Sequence, residues 1–277
     1  MAKPRSPLRN WAEYAAVRAL LAAGTAYPIR WNARLRSTGI ENLAQAGLPA
    51  STLDGVYATL DRMVETFAKL PQINAENVRK TIDYDGFGCY LEAKKRGRGV
   101  LFATAHLGNW ELSAYAHALM AEPMNVVVRP LDNPILDQFV ERRRAGSGNR
   151  ILGKSDYLRR AVEALQRNEA VGVLIDQDAG PDGVFVDFFG RKASATPIFA
   201  KLAHRTGAAI IPGFALWIAE ERRYVLRFSP IVETTGDAAR DTQTLHTILE
   251  GAIRQYPDQW MWLHRRWKTR PPDETAS

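Results

Sequence analysis

The chain has 277 residues, enough for one large domain or two small ones. A hydrophobic fraction of 46% with 24% charged residues excludes a disordered or fibrous class, and the single cysteine, Cys89, excludes an internal disulfide. A net charge of +7 directs the protein toward anionic partners: nucleic acid, an anionic membrane or an acidic protein. No uninterrupted apolar run reaches membrane-spanning length, and no secretory signal is read at the start of the sequence.

Residues 1–36 are strongly basic, with Lys3, Arg5, Arg9, Arg18, Arg30, Arg34 and Arg36 against Glu13. Within them, residues 11–26 carry Trp11, Tyr14, Val17, Leu20 and Leu21 at helical spacing, and Trp31 follows. Aromatic and arginine side chains together suit the headgroup zone of a membrane, so this region is expected to attach peripherally. Residues 51–70 read as a second helix with Leu53, Val56, Tyr57, Leu60, Val64 and Phe67 on one face. Residues 87–96 read as a third, stopped by Gly97. The expected division is an N-terminal basic helical region over 1–80 and an α/β domain over 81–277.

From residue 100 onward, short apolar runs alternate with helical patterns. Strands are expected at 100–105, 125–128, 151–152, 171–175 and 208–216, with an edge strand at 224–228. Helices are expected from Asn109, from Asn133-Pro134 to about Arg144, over 155–167, from Thr196-Pro197 to about Arg205, and from Asp241 to Tyr256. This alternation predicts an α/β layered fold with a central, largely parallel or mixed sheet flanked by helices, plus the N-terminal helices.

The chain is organised around residues 100–112, VLFATAHLGNWEL. The apolar run delivers His106 to a strand end, Asn109 caps the next helix, and Glu111 falls in its first turn. Open α/β sheets place their ligands at that edge. An imidazole titrates near neutrality, and a carboxylate on its far nitrogen sets the tautomer. A strand-capping histidine with a glutamate placed for the helix dipole is the alternative reading.

The HLGNWEL stretch resembles the H-x4-[D/E] box of glycerolipid and lipid A acyltransferases, and looks most like the bacterial late acyltransferases of lipid A. Further stretches share that resemblance: Arg129-Pro130 with Asp132-Asn133-Pro134 and Asp137, the Arg144 region, Asp176-Gln177-Asp178 with Gly180-Pro181 and the apolar run 184–189, and residues 260–271, WMWLHRRWKTRP. One departure is Gln177, where the family often has histidine.

The resemblance implies transfer of a fatty acyl group from acyl carrier protein to a hydroxyl of a lipid A precursor or related glycolipid, on the cytoplasmic face of the inner membrane. His106 would then be the general base and Glu111 its orienting acid; no acyl-enzyme is expected, since the chain has no G-x-S-x-G elbow and no paired cysteine, and no cofactor or metal, since no third carboxylate accompanies Asp176 and Asp178. Backbone N–H groups around Asn109, or Arg129 or Arg144, are the candidates for holding the oxyanion or a phosphate. Asp176 is positioned to orient that arginine, and Asp178 is a further substrate-binding candidate. Phe185, Phe188, Phe189 and the early helices are candidates for an acyl channel. Competing readings are an acyltransferase for another phospho- or glycolipid, a thioesterase-like hydrolase, and a basic nucleic-acid-binding module. The last leaves His106 and Glu111 without purpose.

Overall fold

The computed structural model describes residues 6–153 and 156–272. Lys3, Arg5 and Ser155 therefore lie outside the described residues. Four helices come first: α1 (Pro7–Ala23), α2 (Tyr27–Arg30), α3 (Ala33–Gln45) and α4 (Thr52–Lys69). There follow β1 (Ile82–Asp85), α5 (Phe87–Lys95), β2 (Val100–Thr104), α6 (Trp110–Met120), β3 (Asn125–Val127) and α7 (Pro134–Ala145). Next are β4 (Arg150–Leu152), α8 (Tyr157–Gln166), β5 (Ala170–Leu174), β6 (Val184–Phe188) and β7 (Arg191–Ala195). The chain then forms α9 (Ile198–Thr206), β8 (Ala209–Ile218), β9 (Arg223–Phe228) and α10 (Ala238–Gln255).

Seven strands form one sheet in the order β1-β9-β8-β2-β5-β3-β4, and β6 with β7 makes a separate antiparallel hairpin. Every pairing in the large sheet is parallel except β8 with β9. The fold is thus the α/β layered architecture that the alternating pattern predicts. Strand residues feed two apolar layers in turn. In β2, Leu101 and Ala103 join one cluster while Val100 and Phe102 join the other. Burial on both faces explains why β2 reads as a continuous apolar run rather than an alternating one.

Two expectations are corrected. The strand at 224–228 is not an edge, because β1 pairs outside it from Ile82↔Tyr224 to Asp85↔Arg227. The polar composition of Ile82-Asp83-Tyr84-Asp85 hid that strand. The last long helix is capped by Asp237, which accepts from Ala239 and Arg240, not by Asp241. Asp241 lies in the first turn, buried, and takes the Thr235 N–H and hydroxyl.

The N-terminal helices pack on the sheet domain. Tyr14 of α1 meets Phe139 of α7 edge-on at 5.7 Å, and Asn133 donates to the Asn10 carbonyl at 2.9 Å. On the outer side Leu8, Trp11 and Trp31 remain exposed, at 80%, 59% and 74% of their accessible area. No helix among the described residues is long and apolar enough to cross a membrane.

Candidate active site

The site forms where β2 and β5 end side by side. Their parallel register pairs Thr104 with Leu174, and the Ile175 N–H continues the ladder to the Thr104 carbonyl at 2.9 Å. His106 and Asp176 each follow two residues later, so the ladder brings them face to face. His106 Nδ1 stands 2.8 Å from Asp176 Oδ1, and the His106 backbone N–H donates to Oδ2 at 2.9 Å. Trp260 Nε1 adds a third donor, at 2.9 Å from Oδ2.

Asp176 is fully buried. Burial alone would raise its pKa, but His106, His264 and the Trp260 N–H hold the carboxyl far below the usual range. It is therefore an acceptor, and His106 Nδ1 carries the proton. Nε2 is left as the basic nitrogen. Burial opposes charge on the imidazole as well, yet the Asp176 carboxylate outweighs it, with help from Glu111, and lifts the His106 pKa above its ordinary value.

The expected pairing of His106 with Glu111 is corrected by this geometry. Glu111 leaves the first turn of α6 toward the last turn of α7, where Arg144 grips both its oxygens at 2.5 and 2.8 Å. Asp176 and Glu111 thus exchange the partners the sequence suggested: Asp176 holds the histidine and Glu111 holds the arginine. The fork occupies Nε and Nη2 of Arg144 and leaves Nη1 without a hydrogen bond among the described residues. Both groups act on His106 through their charge.

Asn109 is the expected cap of α6, its side chain accepting from Leu112 at 3.0 Å. Its backbone is not free for an oxyanion, since the Asn109 N–H donates to Ala215 and the Gly108 N–H to Gln259. Gly108 has φ +66°, and a Cβ there would stand 2.0 Å from the Ala215 carbonyl oxygen. Only glycine lets the loop after β2 lie this close to β8.

Arg129 and Asp178 do not join the cluster. Arg129 is 79% exposed, with its guanidinium 4.0 Å from Asp132. Asp178 accepts from the N–H and hydroxyl of Thr269, tying down the C-terminal segment. Gln177, between the two aspartates, points to solvent.

Three neighbours escaped the sequence reading. Trp110 packs edge-on against the His106 ring at 4.8 Å. Trp260 donates to Asp176. His264 brings its ring centroid to 6.4 Å from that of His106 and its Nε2 to the Asp176 carbonyl. The 260–271 motif was visible in the sequence, but not that its indole and imidazole turn back onto the 176 position.

Beside the dyad lies a narrow apolar pocket with a cavity volume of about 60 Å³. Trp110, Glu111 and Arg144 line it together with Met124 and side chains of β2, β3, β5 and α6, including Ala114, Val126 and Val173. The expected channel residues lie elsewhere. Phe188 and Phe189 are buried against Trp260, Trp262 and Trp267, away from this cavity, and Phe185 belongs to the β6–β7 hairpin.

Comparison with known proteins accords with this arrangement. The family model of bacterial lipid A biosynthesis acyltransferases matches residues 49–269. The chain is 32% identical over 202 residues to the lipid A biosynthesis palmitoleoyltransferase of Escherichia coli (strain K12), covering 72% of this chain and 65% of that protein. It is 34% identical over 185 residues to the lipid A biosynthesis lauroyltransferase of the same strain, covering 65% and 59%. It is 27% identical over 235 residues to the phosphatidylinositol mannoside acyltransferase of Mycolicibacterium smegmatis, covering 83% and 76%. The match thus spans about two thirds, 65%, of the length of the palmitoleoyltransferase. With the His106 box, the Asp176 carboxylate and the 260–269 segment all inside the matched region, the chain belongs to the bacterial lipid A biosynthesis acyltransferase family.

Proposed function

We propose that this protein transfers a fatty acyl group from the thioester of acyl carrier protein to a hydroxyl of a lipid A precursor or a related glycolipid. The observation that carries the reading is the His106–Asp176 dyad with the Glu111–Arg144 pair and an apolar pocket beside it. His106 Nε2 accepts the proton of the acceptor hydroxyl as its oxygen attacks the thioester carbonyl. Asp176 keeps Nδ1 protonated and stabilises the imidazolium. Arg144 Nη1 is the donor suited to the tetrahedral oxyanion, held in place by Glu111. Collapse breaks the carbon–sulfur bond, and the imidazolium returns its proton to the leaving thiolate. No acyl-enzyme is required, because the acceptor oxygen attacks directly.

The acyl tail enters through this apolar pocket, whose lining is almost wholly aliphatic and aromatic and which must widen to take the whole chain. The protein attaches peripherally to the cytoplasmic face of the inner membrane through Leu8, Trp11 and Trp31, aided by its net positive charge.

The test is transfer of a radiolabelled acyl group from acyl carrier protein to lipid A precursor by the wild type and by His106→Ala. Transfer by the wild type and its loss in a folded His106→Ala protein are expected. Full activity of the variant overturns the mechanism. Release of free fatty acid by the wild type, with no acylated lipid formed, identifies a hydrolase instead.

A further inference from the structure

The segment 260–269 contributes to the dyad, yet half of it faces away from the site. Trp262 and Trp267 anchor it inward through indole N–H groups to the Pro257 and Phe188 carbonyls. Arg266 is fully buried over the Phe188 ring and donates to the Ser194 carbonyl at 2.6 Å. Asn42 of α3 clasps the carbonyls of Trp262 and His264 at 2.7 and 2.8 Å. Between these anchors Arg265 and Lys268 point outward, and neither side chain has an ion-pair partner among the described residues.

These two cations share an open groove with Arg191 and Arg270, along the flank of α3. Among the described residues Glu41 is the one carboxylate lining it, and it accepts from Ser37. The segment that lines the groove also reaches the reaction centre, since His264, next in the chain to Arg265, has its ring centroid 6.4 Å from that of His106.

We propose that this groove docks an acidic face of the carrier protein that presents the thioester; the inference rests on the acyl-transfer reading above. Arg265 and Lys268 are exposed and Arg191 and Arg270 part-buried, and none sits in a buried socket of the kind that encloses a single phosphate. A spread field of this kind complements a helix bearing several carboxylates and steers its encounter. The exposed apolar side chains that suit lipid, Leu8, Trp11 and Trp31, belong to other elements. The buried anchors hold the backbone under Arg265 and Lys268, so little order is lost on docking.

The experiment measures binding of acyl carrier protein lacking an acyl chain to the full-length wild type, to Arg265→Glu/Lys268→Glu and to His106→Ala, at low and high salt. Acyl transfer by the wild type is assayed in parallel. Both substituted positions are exposed, and an unchanged thermal midpoint verifies the fold of the double variant. The expected result is salt-sensitive binding by the wild type and His106→Ala, weakened about tenfold or more by the charge reversal. The KM for the carrier-bound donor should rise while the KM for the lipid acceptor stays put. Unchanged carrier binding in the double variant, or a rise in KM confined to the acceptor, overturns the docking site while leaving acyl transfer standing. Tight carrier binding without any acyl transfer by the wild type overturns the catalytic reading instead.

Discussion

His106 and Asp176 each lie two residues beyond Thr104 and Leu174, which face one another across the parallel β2–β5 ladder. The dyad is therefore a product of strand register. A one-residue slip of β5 would turn Asp176 to the opposite face of the sheet. Replacing Asp176 with Asn leaves the shape but removes the charge that holds Nδ1–H. Turnover should fall by a factor on the order of 10³. The wild-type rate should rise with pH as His106 loses its proton, with a midpoint above the ordinary imidazole value of 6.5, since the pKa is raised. In Asp176→Asn that midpoint should move down, because burial then acts unopposed by the carboxylate. A pH profile of kcat/KM checks both, and an unmoved midpoint would exclude Asp176 as the orienting acid.

The Glu111–Arg144 fork makes a different prediction. Glu111→Gln should shift the pH midpoint less than Asp176→Asn does, because Glu111 reaches His106 through charge alone. Removing one member strands the other charge in a half-buried place, at a cost of about 1–3 kcal/mol. Replacing both, as Glu111→Leu/Arg144→Met, should restore most of that stability but not activity. Thermal unfolding with parallel transfer assays separates the two effects. Restored activity in the double variant would remove Arg144 from the oxyanion role.

Ala114 lines the cavity on α6, within the first turns beyond the dyad. Ala114→Leu should shorten the preferred acyl chain while sparing the pH profile. Competition between carrier-bound chains of different length reads this directly. An unchanged preference would place the tail elsewhere.

Trp11 and Trp31 expose their rings to solvent. Trp11→Ala/Trp31→Ala should release the protein from vesicles of anionic phospholipid without changing its thermal midpoint by more than about 2 °C, as exposed rings carry little of the fold. Co-sedimentation measures it, and undiminished binding would rule these rings out as the anchor.

Much of this was legible in the sequence. The buried strands, the Asn109 and Asn133 caps and the arrival of His106 at a strand end all follow from local pattern, and local pattern prevailed. The partner of His106 did not. Glu111 is five positions away along the chain and Asp176 is seventy, so proximity in sequence favoured the wrong carboxylate. Register between two strands decides that contact, and no single-chain periodicity encodes it. Strand β1 was missed because its alternate residues are acidic, and Phe188 and Phe189 were misplaced because an apolar residue reads alike in a core and in a channel.

The three side chains that meet at the buried carboxylate come from positions 106, 176 and 260, with the Met261 N–H closing onto the His106 carbonyl at 3.0 Å. During synthesis the ribosome must therefore pass Met261 before all of these contacts can form. A chain arrested earlier could pair β2 with β5, but Asp176 would lack its indole donor and His106 its backbone brace. The dyad thus gains its full set of contacts only after the segment from Trp260 has been made.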